Sequence, residues 1–152
     1  MELSHIDSRG QARMVDVASK DVTVRTATAT GRVRTTAAAA IAEGTVAKGD
    51  VLATARIAGI MGAKRTPDLI PMCHPIAVHG VTLDLEVEPD LVNVSATVKT
   101  ADRTGVEMEA LTAVTVACLT IIDMTKALDP AATIEGVHVV SKTGGKSGDW
   151  HA

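Results

Sequence analysis

Apolar and polar residues alternate most regularly between Val81 and Val98. Val81, Leu83, Leu85 and Val87 are interleaved with Thr82, Asp84, Glu86 and Glu88, which gives an extended segment one apolar and one polar face. Glu88-Pro89-Asp90 interrupts the run as a turn, and Val92, Val94, Ala96 and Val98 resume it, so the pattern predicts a β-hairpin. The Val- and Thr-rich run from Val22 to Val33 predicts an earlier strand, and TIEGVHVVSK (Thr133 to Lys142) a last one.

Between these runs the apolar spacing becomes helical. Thr35 or Thr36 is placed to cap a short helix through the alanine-rich segment ending at Glu43, with Gly44 as its stop. Asp50 is placed to cap a second helix, on which Val51, Ala55, Ala58 and Gly62 form a ridge of small side chains that lets another backbone come close. Pro67, Pro71 and Pro75 are expected to break any helix and to hold Met72, Cys73 and His74 in an extended or turning segment. A long helix is predicted from Val106 to Ala127, with Leu111, Val114, Cys118, Ile121 and Thr125 at core spacing and Pro130 beyond its end. The order strand, helices, strand, strand, helix, strand is the ferredoxin-like β-α-β-β-α-β plan: an α+β sandwich with an antiparallel sheet and helices packed on one face. Residues 1–20 are polar and are expected to be a partly ordered lead-in, and residues 143–152 a glycine-rich tail. With no repeat or linker between them, residues 1–152 read as one domain.

Composition narrows the class. The chain has 152 residues, 46% hydrophobic and 22% charged, as in globular soluble proteins. Aromatic residues make up 1%, with Trp150 the single example, so the core must be built from Ala, Val, Ile, Leu and Met. That is a hint that subunit contacts supply part of the stability, although alanine-rich packing alone explains it as well. A net charge of −3 argues against nucleic-acid binding. The absence of strand aromatics argues against an RNA-binding ferredoxin-like sheet. Cys73 and Cys118 form no disulfide framework and fit a reducing compartment. No apolar run reads as a leader or as a membrane span, and the expected location is the cytoplasm.

The candidate chemistry lies in charged residues that are individually ordinary. Lys48, Arg56, Lys64, Arg65 and His74 crowd one stretch, and local cations in an acidic chain point to a small polyanion. Taken singly, Arg25, Lys48, Lys64, Arg65 and Lys142 read as solvated. Asp123 and Lys126, three residues apart, read as a surface pair, and His74 as a structural loop residue. Glu107 and Glu109 favour the positive end of the long helix, or accept the N–H donors of a guanine-like ring edge. Glu109 and Asp123 share a helix face but lie about 21 Å apart along it, so a single pocket using both must draw on two subunits. TGGKSG near the end is not a phosphate loop: Val140 stands where the pattern needs its first glycine, and no helix follows. No metal-ligand spacing is present.

Three long motifs carry a resemblance: Lys48 to Pro75, GVEMEALTAVTVACLTIIDMTKA (Gly105 to Ala127) and KTGGKSGD (Lys142 to Asp149). Together they closely resemble the molybdenum cofactor biosynthesis protein C family, the cyclic pyranopterin monophosphate synthases, from about Leu3 to Asp149. The resemblance implies a ferredoxin-like fold and a homohexamer, a trimer of dimers with the active site at the dimer interface. It also implies a lyase that converts (8S)-3′,8-cyclo-7,8-dihydroguanosine 5′-triphosphate into cyclic pyranopterin monophosphate and pyrophosphate. By matching position, Asp123 and Lys126 are implied to be catalytic with Lys48. Met72, Cys73, His74, Glu107, Met108 and Glu109 are implied to bind substrate, and Lys48, Arg25 and Lys142 to meet the triphosphate, with Lys64 and Arg65 beside them. Ile122, Thr125 and Met72 depart from common family forms without removing a charged group. No cofactor is implied, and whether Mg2+ accompanies the triphosphate is left open. The alternative is a non-catalytic oligomeric nucleotide- or pterin-binding module, which the cations and glutamates fit equally well.

Overall fold

The computed structural model describes residues 4–152. Its strands are β1 (Thr23–Arg34), β2 (Val78–Glu88), β3 (Leu91–Asp102), β4 (Thr133–Thr143) and the short β5 (Trp150–His151). They form one antiparallel sheet in the order β2-β3-β1-β4-β5. Its helices are α1 (Ala38–Glu43), α2 (Val51–Lys64), α3 (Thr66–Leu69) and α4 (Glu107–Thr125). The ferredoxin-like α+β architecture expected from the sequence is the one observed.

Strand register turns the alternating pattern into a core. Leu83 pairs with Ala96 and Ala96 with Ala29, while Leu85 pairs with Val94 and Val94 with Gly31, so one face carries continuous apolar rows. Small residues on β1 let α4 settle onto the middle of the sheet. A Cβ added at Gly31 would come 2.9 Å from Val114 Cγ1. The opposite face is polar: Thr28 meets Thr97 at 2.8 Å, and Glu135 takes ion pairs from Arg32 and Arg34 at 3.2 and 3.1 Å.

Local signals account for some element ends. The Asp50 carboxylate accepts from Ala53 N at 3.0 Å, and Gly44 closes α1 at φ 71°. Four expectations are corrected. The close-packed ridge of α2 is Ala55, Gly59, Gly62 and Ala63; Ala58 is only half-buried. Pro67 does not stop helix formation but starts α3, because a first-turn residue needs no intrahelical donor. Neither Thr35 nor Thr36 caps α1, whose N-cap is Ala37 without a side-chain cap; the Thr35 hydroxyl instead accepts from Ala37 N at 3.0 Å while donating at 2.8 Å to Asp129, from the loop after α4. Finally, α4 is by length and composition apolar enough to cross a membrane, yet half of it is buried inside the fold.

Both terminal segments carry structure. Ile6 and Ala12 form an isolated antiparallel bridge within the lead-in, whose first three residues lie outside the described part. In the tail, Trp150 pairs with Lys142 on the β4 edge.

Candidate active site

At the C-terminal end of α4 three charged groups meet. Lys126 Nζ lies 3.0 Å from Asp123 Oδ1, and Lys48 Nζ lies 3.3 Å from Oδ2 and 3.0 Å from the Asp123 carbonyl. Lys48 reaches this point because the α2 cap places it two residues ahead of Asp50, beside the end of α4. A cation there also meets the negative pole of the helix. The hydrogen bond from Lys126, then that from Lys48, holds the Asp123 carboxyl below its ordinary pKa, so it stands ionised. All three side chains are well exposed. The grouping is therefore accessible to a ligand, and it contributes little to stability.

At the other end of α4 the helix start faces the proline-rich loop. A cavity of about 320 Å³ is lined by Met72, Cys73 and His74 on one side and by Glu107, Met108 and Glu109 on the other. Glu109 is 1% exposed; its Oε2 accepts the Cys73 thiol at 3.3 Å, and its Oε1 has no partner. Burial raises the Glu109 carboxyl above its usual value, against smaller opposing hydrogen bonds. Burial first, and then the neighbouring Glu109, pushes the Cys73 thiol up to about 12, which leaves it a hydrogen-bond donor and not a nucleophile. An unpartnered buried carboxylate oxygen is costly unless a donor arrives, and a ring N–H is such a donor.

Thr104, Gly105 and Glu107 continue from this cavity into a polar one of about 220 Å³ that also holds Arg25 and Lys142. Lys142 Nζ lies 3.4 Å from Glu107 Oε1. Arg25 then opens onto a third cavity of about 490 Å³ with Lys20, Gly145 and Lys146. The Arg25 Nε is buried without a partner. Gly145, at φ 80°, lies so close that an added Cβ would come 2.9 Å from the Arg25 Cζ. The result is a continuous cleft with a carboxylate floor at one end and cations at the other.

The fold thus gathers Met72, Cys73, His74, Glu107, Met108, Glu109, Arg25 and Lys142 into one cleft, and Asp123, Lys126 and Lys48 into a second group. Lys64 and Arg65 stay exposed at the end of α2 and line none of these three cavities, and Arg56 donates instead to the Leu83 carbonyl at 3.2 Å. The stretch from Lys48 to Pro75 therefore distributes its charges and does not focus them. Lys20, Val15 and Val17, also in the cleft wall, were not anticipated. The signal was there in Met14, Val15 and Val17, a cluster of apolar residues within a mostly polar lead-in.

The fold and charge layout define a class: an α+β protein whose surface cleft, with a buried carboxyl at one end and cations at the other, suits a small anionic ligand. The MoaC family model matches residues 14–145, and the chain belongs to that family. It is 67% identical to the cyclic pyranopterin monophosphate synthase of Streptomyces avermitilis, over 97% of this chain and 88% of that protein. It is 60% identical to the synthase of a Nocardioides species, over 97% and 94% of the two chains. Identity to cyclic pyranopterin monophosphate synthase 2 of Mycobacterium tuberculosis is 56%, over 98% and 90%.

Proposed function

We propose that this chain is a lyase of molybdenum cofactor biosynthesis. It converts (8S)-3′,8-cyclo-7,8-dihydroguanosine 5′-triphosphate into cyclic pyranopterin monophosphate and releases pyrophosphate. The reaction opens the five-membered purine ring, rebuilds a pterin and closes a cyclic phosphate, so it needs proton transfers and charge stabilisation but no redox change. The observation that carries the reading is the Asp123 carboxylate with each oxygen bonded to a different lysine, set in a chain that matches synthases along nearly its whole length. Asp123, held ionised, accepts a proton. Lys126 exchanges it, and Lys48 supplies a second cation to developing negative charge. In the cleft, Glu109 receives the N–H donors of the ring edge, while Arg25 and Lys142 meet the triphosphate. The reading takes residues 1–152 as one cytoplasmic domain and requires no cofactor of the protein's own. Any Mg2+ enters with the triphosphate.

The two groups lie at opposite ends of α4, about 21 Å apart, which supports a two-fold dimer that places Asp123 of one protomer over the cleft of its partner. Three such dimers would make the hexamer. Exposed Ile57, Met61 and Leu119 on the helix layer provide apolar surface for this pairing.

Purified protein incubated with the cyclised nucleotide should release pyrophosphate. Asp123→Ala and Lys126→Ala should each lower turnover by at least about 10²-fold while still binding substrate. Wild-type turnover by either variant rules out the role assignment, and no pyrophosphate from the wild-type protein favours the binding-module alternative. Mixing Asp123→Ala with Glu109→Ala subunits tests the shared site, since each mixed dimer would contain one site free of both lesions. No recovery of activity on mixing would refute the interface arrangement.

A further inference from the structure

His74 stands in the cleft wall, but its imidazole is already engaged. Its Nε2 is hydrogen-bonded to the carbonyl oxygen of Val15. A carbonyl can only accept, so Nε2 must carry the hydrogen, whichever charge state the ring adopts. While that bond lasts, Nε2 cannot take a proton from a substrate.

The segment it holds is otherwise weakly tied. Residues 4–13 fold as a small hairpin on local bonds: Asp7 Oδ1 accepts from Arg9 N and Gln11 N at 2.8 and 3.0 Å, and Arg13 N donates to the His5 carbonyl at 2.8 Å. Residues 14–20 then pass between two open spaces. On one side lies the Glu109 cavity, and on the other a cavity of about 400 Å³ bounded by Pro75, Ile76 and Asp102. Within residues 14–20 the bonds are again local, from Ala18 N to Asp16 Oδ1 at 2.9 Å and from Lys20 N to the Val17 carbonyl at 3.0 Å. Among the described residues, the bond to His74 is the one hydrogen bond that leaves this segment for the rest of the fold. Yet the segment puts Val15 and Val17 against the Glu109 cavity, and Lys20 where that cavity and the cation-lined one adjoin.

We infer that His74 is a positioning residue, a latch whose Nε2–H holds residues 14–20 as the outer wall of the substrate cleft. Its contribution is to cleft shape and to the placement of Lys20, not to proton transfer. Loss of the latch frees the wall and weakens substrate capture while leaving the chemical groups in place.

The discriminating substitutions differ in reach. Gln places its side-chain amide N–H where the imidazole Nε2–H was, whereas Asn is one methylene short and Ala has no donor. In ligand-free protein, amide hydrogen exchange at Ala18 and Lys20, the two amides of the segment that donate hydrogen bonds, should speed up by about tenfold in His74→Ala and His74→Asn, the equivalent of one lost hydrogen bond, and return towards wild type in His74→Gln. With the cyclised nucleotide, KM should rise by a similar factor in Ala and Asn with kcat nearly unchanged, and Gln should restore it. Unaltered exchange in His74→Asn overturns the latch. So does a His74→Gln enzyme that retains KM but loses kcat, because the ring itself would then be moving protons. The kinetic arm rests on the proposed lyase activity and the exchange arm does not, so failure of one reading is distinguishable from failure of the other.

Discussion

Gly59 is where α2 packs closely against β2 and α4 at once. A Cβ at this position would overlap Leu83 Cδ2 and come 3.0 Å from the Ala113 carbonyl on α4. Gly59→Ala gains about 1 kcal/mol of helix propensity. Against this stands overpacking, which costs about 1–3 kcal/mol. The larger part of that range applies, because Leu83 is 3% exposed and the other obstacle is backbone that cannot rotate away. The expected net loss is about 1–2 kcal/mol. For a chain of this size that lowers Tm by about 2–8 °C, read by circular dichroism on heating. Combining Gly59→Ala with Leu83→Val removes the overlapping methyl, so the double variant should be more stable than the sum of the two single effects. Turnover should fall as well, because parting α2 from α4 draws Lys48 away from Asp123. A Tm at or above wild type for Gly59→Ala, or strict additivity in the double variant, would refute this account of the helix interface.

Two further outcomes are expected. Glu109 has a raised pKa in the folded chain, so its contribution to stability is full at low pH and is lost as pH rises through that raised value. Glu109→Gln should therefore gain Tm relative to wild type as pH rises above the ordinary carboxylate range while binding substrate more weakly, and a gap in Tm that does not grow with pH would refute the assignment. Gly145→Ala forces a side chain into a left-handed conformation and against Arg25. It should cost about 1–2 kcal/mol and weaken pyrophosphate binding in calorimetry, and unchanged binding would remove Arg25 from the anion site.

The hairpin was legible in the sequence because the two runs 81–87 and 92–98 each alternate, and the observed register puts both apolar sets on one face. Asp50 and Gly44 were equally plain, since capping is local chemistry. Thr35 was not, because its partner Asp129 arrives from 94 positions away and no local pattern encodes that meeting. Gly59 was missed for a related reason. Helical spacing marks a small-residue face only to within a neighbouring position, and the approach of α4 decides which glycine is indispensable. In the site, matching motifs indicated the residue types and helix rise alone set Glu109 and Asp123 at opposite ends of α4, but the arrival of Lys48 at the Asp123 end depends on the antiparallel packing of α2 against α4. The wall built by Val15, Val17 and Lys20 stayed hidden in a lead-in whose polar residues outnumber its apolar ones.

Trp150 has a practical consequence. It is the chain's one aromatic residue, 44% exposed, and is paired in register with Lys142 on the strand edge that borders the cation-lined cleft. Directly opposed residues in an antiparallel pair project from the same side, so this indole and that ammonium are neighbours. All intrinsic fluorescence then originates from a single fluorophore beside the site, and filling the cleft is readable as an emission change without any introduced dye.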